Sequence, residues 1–502
     1  MKRYPILIAA AAVTTLLACN PKLPDTASGA PSAPGGSAAA FSQSEFDALA
    51  PEQQYAVANK LLGTLYKGIP VAAFFDLAAG LQAPVSKPGA RFLDDTRSAL
   101  ATPLADKAPY LTAVETNYVF DDTRRPLETP LALLHELPVS RDFFHRWMAY
   151  VLANTILFSP ALENDSVDYT DIEDVYYRLY SMMDEDRSIG EIVYDQMVSQ
   201  EKWRRFRSPE DNTREMMEIF LGRFRDDEVP KAAIACQNWH LTDEAAGYQL
   251  VIDFNENTQP QAVLDTTVVS CRDFYRAIAA HPTLVPRITK VLVEAFLPGL
   301  TPEAKVKLVN DVTAIQPTRF DPIFTAILFS KEYLLQNDRP KGLEETFFGT
   351  ASRIDWFADS RFFTSLNRPD SGAFFPNLRQ MKQESMTYKL GRLGAVPLDS
   401  LSFSYDHKLM REFLLLDRKT DPFAVTDGGW QSDFIDVALT GDDFLQYLFL
   451  SVVARKATAP ELATLKPIIS ARSYDSNKLG QAMIVLDYLS RLSELYAMTA
   501  TQ

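Results

Sequence analysis

Apolar residues recur along this chain at the three- and four-residue spacing of amphipathic helices, with little of the strict alternation that marks half-buried strands. Phe46, Leu49, Val57, Leu61, Leu62 and Leu65 predict an opening helix, with Pro51 in a first-turn position and Gly68 and Pro70 as its stop. A short helix is predicted over 71–81, and 94–125 reads as irregular. Helical patterns return at 130–137 and at 140–158, where Ser140 stands as N-cap and Phe143, Phe144, Trp147, Tyr150, Val151 and Ile156 form an apolar side. Further helices are predicted over 172–183, 188–207, 271–280, 282–296, 322–335, 343–356, 407–416 and 442–454. Thr301-Pro302-Glu303 is a helix start, and Thr458-Ala459-Pro460-Glu461 is a capping box leading into 462–469. A last helix is predicted over 477–498, and only 249–254 suggests a strand, with a turn after it at 255–260. No fixed-period repeat announces a solenoid. The expected class is all-α: a large multi-helical domain of amphipathic helices with long irregular loops over 42–500, with a C-terminal helical subdomain beginning near 440.

The first residues change the picture. Lys2 and Arg3 precede a largely apolar run of twelve residues at 6–17, the length of a secretory signal core and too short for a stable membrane span. The run ends in Leu16-Leu17-Ala18-Cys19, which resembles a bacterial lipobox. That resemblance implies a signal peptide over 1–18 and a mature chain starting at Cys19, with lipid on its sulfur and its amine. Several acyl chains on one residue anchor stably where one chain does not. The alternative is an ordinary cleaved signal with a chance cysteine. Residues 19–41, rich in Pro, Gly, Ser and Ala, read as a flexible tether. Asn20 is not the aspartate that retains many lipoproteins at the inner membrane, so resemblance to that sorting rule favours the outer membrane. No later segment has eighteen uninterrupted apolar residues, and no transmembrane helix is predicted.

Composition is ordinary for a globular chain, with 47% hydrophobic and 23% charged residues, so 502 residues can bury a sizeable core. Without Lys2 and Arg3 the chain carries 48 basic and 65 acidic residues, a net charge of −17. That sign argues against a general nucleic-acid binder, and no nucleic-acid partner is expected. The basic cluster Lys202, Arg204, Arg205 and Arg207 reads as a solvated helix end facing nearby acids, ahead of a phosphate site. With Cys19 assigned to lipid, Cys236 and Cys271 remain as a pair in an oxidising compartment, outside any C-x-x-C motif. A structural disulfide is the preferred reading, and two buried thiols are the alternative.

The stretch 208–241 carries the only internal family-like signature. Ser208-Pro209-Glu210-Asp211 is a helix start with acids favourable at its N-terminus. Arg214 and Glu218 share a helix face, as do Asp211 and Glu215, beside a core stripe of Met216, Ile219 and Phe220. The order Asn212, Thr213, Arg214, Glu215, Met216, Met217, Glu218, Ile219, Phe220 resembles the hallmark helix of a large bacterial family, number eighteen-hundred in the domain-of-unknown-function series. Asp226 and Asp227, then Cys236-Gln237-Asn238-Trp239, echo its acidic turn and following helix, and His281-Pro282 and Leu390-Gly391-Arg392-Leu393-Gly394 resemble later boundaries. The likeness covers roughly 190–400 in patches. It lacks the family's Gly- and Lys-rich link after the tryptophan, and the late Gly-Trp is displaced to Gly428-Gly429-Trp430. It implies an exported helical protein, often encoded beside a sulfatase-like partner, and supplies no established reaction.

Chemistry is sparsely signalled. His135, His145, His240, His281 and His407 are the only histidines, and no two have H-E-x-x-H or similar spacing. No metal site and no cofactor are predicted, although a site assembled from distant histidines stays open. Asp165, Asp168, Asp171, Glu173 and Asp174 lack the order of an EF-hand, and there is no G-x-S-x-G elbow or phosphate loop. Phe362, Phe363, Phe374 and Phe375 are core if buried and a binding platform if exposed. The catalytic residues are unknown, and the binding candidates are Asn212, Arg214, Glu215, Glu218, Trp239, His240 and His281. The expectation is a lipid-anchored envelope protein that binds or scaffolds another envelope protein or a surface polymer. The alternative is an envelope hydrolase, which requires a cleft joining Glu215 or Glu218 to His240 or His281.

Overall fold

Apolar stripes on successive helices meet across short connections, and those meetings build the architecture. The computed structural model describes residues 40–81, 91–117, 128–158, 170–243, 245, 247–254, 259–357, 407, 410–415, 429–430, 434–470 and 478–499. Cys19 with its leader and most of the tether, Asp165 and Asp168, Phe362, Phe363, Phe374 and Phe375, Leu390–Gly394 and Gly428 lie outside the described residues.

The fold is all-α. Helices α1 (Gln43–Asp47), α2 (Pro51–Thr64), α3 (Phe92–Ala101), α4 (Ala108–Asn117), α5 (Glu128–Glu136) and α6 (Arg141–Ala153) open it. Then come α7 (Thr170–Asp184), α8 (Ile189–Val198), α9 (Gln200–Arg205), α10 (Pro209–Leu221) and α11 (Val229–Ala235). Two antiparallel ribbons interrupt the helices: β1 (Trp239–Leu241) with β2 (Leu250–Ile252), and β3 (Gln261–Val263) with β4 (Thr266–Val268). Helices α12 (Cys271–Ala279), α13 (Leu284–Phe296), α14 (Pro302–Ala314), α15 (Phe320–Leu328) and α16 (Leu343–Arg353) follow. The C-terminal part holds α17 (Gly441–Val453), α18 (Ala459–Ser470), α19 (Lys478–Leu489) and α20 (Ser493–Tyr496). Two-residue ribbons tie distant parts together: Arg339 pairs opposite Met498, and Trp356 opposite Trp430. No described helix is long and apolar enough to cross a membrane.

Sequence caps set many of the boundaries. Ser140, Ser208 and Thr301 each accept a backbone N–H from the third residue of the helix that follows, as their spacing predicts. The core is aromatic at its centre. Trp147 stacks on Phe144 at 5.8 Å and meets Phe324 edge-on at 5.4 Å, while its indole N–H donates to the Thr64 carbonyl at 2.9 Å. Helices α2 and α16 cross closely because Gly349 packs on the backbone of α2 and Gly68, just past α2, packs on Gly349. A Cβ on Gly349 would lie 3.3 Å from the Gly63 Cα, and one on Gly68 would run into the Gly349 carbonyl.

Several elements differ from the sequence reading. Among them, the helix expected over 322–335 stops at Leu328 and resumes as a π turn at Glu332–Gln336, and the ribbon β3–β4 is unforeseen. The helix expected over 71–81 is a single 3-10 turn, Val71–Ala73, and the irregular 94–125 contains α3 and α4. The long helix expected over 188–207 breaks at Ser199, whose backbone is extended and whose hydroxyl starts α9 by accepting the Lys202 N–H. The last helix stops at Leu489. Ser490 turns its hydroxyl onto the Asp487 carbonyl, and its own carbonyl accepts the Tyr496 hydroxyl at 2.5 Å. A helix-period stripe cannot reveal such breaks, since serine is tolerated inside helices and becomes a cap only when tertiary packing bends the chain.

Candidate binding site

The stretch 208–241 folds as a packing block. Asn212 is fully buried, and its side-chain oxygen accepts the Tyr275 hydroxyl at 2.7 Å. Trp239 lies between Trp203 and Tyr275, with ring centroids 5.6 and 5.9 Å away. Cys236 ends α11 and Cys271 begins α12, and the two form a disulfide with Cα atoms 4.3 Å apart. It closes the base of the segment carrying both ribbons β1–β2 and β3–β4. Gly222 adopts φ +74, the left-handed conformation that ends α10, and Arg287 places its Nε on the Ile219 carbonyl at 3.0 Å, a cation at a helix C-terminus.

The other candidates are distributed over the rim of this block. Arg214 is exposed and pairs with Asp211 at 2.7 Å. Glu215 is more buried, and burial together with the Glu218 and Asp211 carboxylates pushes its carboxyl up. His240 is exposed on β1, 3.6 Å from the Asp253 carboxylate. The His281 ring meets the Thr283 hydroxyl at 2.8 Å, and burial and Arg223 hold its pKa down. No hydrogen bond or ion pair among the described residues joins Glu215 or Glu218 to His240 or His281. The remaining histidines also serve local structure. His145, fully buried, meets Asp321 at 2.8 Å, His407 meets Ser490 at 3.2 Å, and burial beside Lys67 pushes His135 down to about 3.

The basic cluster is exposed only at Arg207, whereas Lys202 and Arg204 are buried, against the solvated helix end expected from sequence. Lys202 is 1% exposed, its ammonium 3.7 Å from the centre of the Phe158 ring, and Arg204 donates to the Tyr248 carbonyl at 3.2 Å. Most of the short helix α9 is buried, so Lys202 and Arg204 meet rings and carbonyls in place of water.

A cavity of about 100 Å³ opens elsewhere, between α2, both ends of α16, the end of α17 and the C-terminal ribbon. Lys60, Lys341, Glu345, Arg353, Arg455 and Glu494 give it its charge. Lys60 is 6% exposed and donates to the carbonyls of Asn337 and Thr499 at 2.6 and 3.1 Å. Lys341 donates to the Glu494 and Leu495 carbonyls at 3.1 and 3.0 Å. Arg353 holds the last carbonyls of α17, Ser451 at 2.9 Å and Val452 at 2.6 Å. Burial, reinforced by Arg339 at Lys60 and by Arg353 at Lys341, pushes both amines down to about 7. Ala454, at the rim, takes φ +57. None of these residues was a candidate from sequence. The one signal was Lys60 itself, a lone charge inside the apolar run Ala56-Val57-Ala58-Asn59-Lys60-Leu61-Leu62. A group of three or more potential metal ligands is absent among the described residues.

Compared with known proteins, the chain matches no protein-family model, no curated protein and no solved structure.

Proposed function

We propose that this chain is a lipid-anchored protein of the bacterial cell envelope, with the outer membrane as its favoured address, and that it binds or scaffolds another envelope protein. One observation carries the reading: a basic start, a twelve-residue apolar run, Leu16-Leu17-Ala18-Cys19, and then a Pro- and Gly-rich tether before the first helix. Such an arrangement suits a domain that works at the end of a leash, where local concentration at the membrane surface strengthens otherwise modest contacts. Binding is favoured over hydrolysis because Glu215, His240 and His281 each have a local partner, and because the described cavity is lined by cations held on carbonyls. The sulfatase-like partner implied by the family likeness is one form of this proposal. A surface polymer is the other occupant the same tether would serve.

Crosslinking in native membranes followed by capture of the tagged full-length chain tests the reading. The expected result is one envelope protein recovered in stoichiometric amount, lost when Cys19→Ser removes the anchor. Recovery of the chain alone, from wild type and variant alike, overturns the adaptor role.

A further inference from the structure

Among the described residues, three cations around the cavity have no carboxylate bonded to them. Both acids in its lining are engaged by other cations. Glu345 holds Arg339 through two bonds of 2.7 and 2.5 Å, and Glu494 holds Arg455 at 2.8 Å. Lys341 is left with carbonyl partners, Lys60 with carbonyls and the face of the Tyr333 ring at 5.7 Å, and Arg353 with carbonyls and the Thr350 hydroxyl at 3.1 Å. Carbonyl dipoles orient a cation without cancelling its charge, and a buried charge without a counter-charge is costly. Each lysine spends two of its three N–H donors, and the bonds of Arg353 to described residues leave its Nη1 unused. The result is a pocket of excess positive charge inside a chain whose net charge is −15. Its 100 Å³ holds about three waters' worth of liquid volume, room for a group of a few heavy atoms.

We propose that this cavity is a receptor for a small divalent oxyanion, a phosphoryl or sulfuryl group, held by Lys60, Lys341 and Arg353 between α2, α16 and the C-terminal ribbon. An arriving anion supplies the missing counter-charge and accepts the spare donors, and charge-assisted bonds of this kind are the strong ones. The group comes either as a free anion or as the terminus of a larger envelope molecule. The site's biological use rests on the binding-module reading, whereas its occupancy does not.

Binding also has a pH signature. Lys60 faces Arg339, Asp338 and the Tyr333 ring, and Lys341 faces Arg353, Arg339, Glu345 and Glu494. In the empty cavity both amines sit near 7. An anion favours their charged forms, so above neutral pH binding must take up protons, and affinity falls as pH rises. Sulfate keeps the same charge across this range and isolates the protein's contribution.

The test is calorimetric titration of the full-length protein in detergent with sulfate and with glycerol 3-phosphate, against chloride at equal ionic strength. Saturable one-to-one sulfate binding is expected, weaker at pH 8.5 than at pH 6.5 and about tenfold or more weaker in Lys341→Met. Lys107→Met, at a lysine paired with Asp142, is expected to bind as wild type does. Tighter binding of glycerol 3-phosphate assigns the site to the terminus of a larger molecule, and preference for sulfate assigns it to the free anion. Thermal unfolding of the wild type gives a second readout that needs no variant: a specific site raises Tm saturably, while general sulfate stabilisation keeps rising. No saturable binding, or identical affinity in Lys341→Met, overturns the proposal. Such a failure leaves the membrane capture result untouched, and a failed capture with sulfate still bound leaves this site standing.

Discussion

Gly63, in the last turn of α2, and Gly68, four residues beyond that helix, answer to opposite demands. A methyl group on Gly63 would meet only the Met498 side chain, at 3.8 Å, in ordinary contact. A methyl on Gly68 would strike the Gly349 carbonyl and lie 2.6 Å from the Arg353 Cγ. Gly63→Ala is therefore expected to stabilise the protein by about 0.5–1 kcal/mol, as alanine does inside helices. Gly68→Ala is expected to cost about 1–3 kcal/mol through overpacking. Urea unfolding of the two variants measures the difference, and equal effects would contradict the close α2–α16 crossing. At this scale the sequence was legible where a residue's local chemistry decides its role. Ser140, Ser208 and Thr301 read as caps and are caps. It was opaque where a distant element decides. Nothing near Lys202 in the sequence says that Phe158 covers its ammonium, and nothing near Lys60 says that the Thr499 carbonyl accepts a hydrogen bond from it.

Among elements, the disulfide has the largest expected effect. It joins residues 35 apart in sequence, and closing a loop of that length removes freedom from the unfolded chain equivalent to about 4 kcal/mol. The Cys236→Ala, Cys271→Ala double variant is expected to lose stability of that order. Reductant should lower the wild-type Tm toward the variant's value and leave the variant unchanged. A variant as stable as wild type, with no response to reductant in either, would contradict the bond's structural role. Helix existence was well signalled by apolar period, as in α6, α13 and α17, whereas helix continuity was not. The predicted 188–207 and 477–498 helices each break at a serine, and α3 went unread because Arg91 offers no side-chain cap to mark its start. Pairing of Cys236 with Cys271 was expected from their number and compartment, and their positions at the end of α11 and the start of α12 put it within reach.

Over the whole molecule, an acidic chain carries a small open cavity rich in cations, and an N-terminal segment reads as an export and anchoring signal. Together these parts suit the presentation of a helical receptor at a membrane surface. A net charge of −15 disfavours anions over the surface in general, so the proposed oxyanion relies on the specific contacts of the cavity. The fold class was legible from periodicity alone, because period 3.6 recurs in the described helices from 43 to 489. The cavity was not, because Lys60, Lys341 and Arg353 lie up to 293 residues apart and converge only when α2 crosses α16. The anchor is the claim on which the rest of the functional account depends. Mass measurement of the N-terminal peptide of the mature protein, recovered from the membrane fraction of the native cell, tests it directly. The expected result is a chain beginning at Cys19 with acyl mass on that residue. A mature protein found in the soluble fraction, or an unmodified Cys19 within a longer N-terminus, would contradict it.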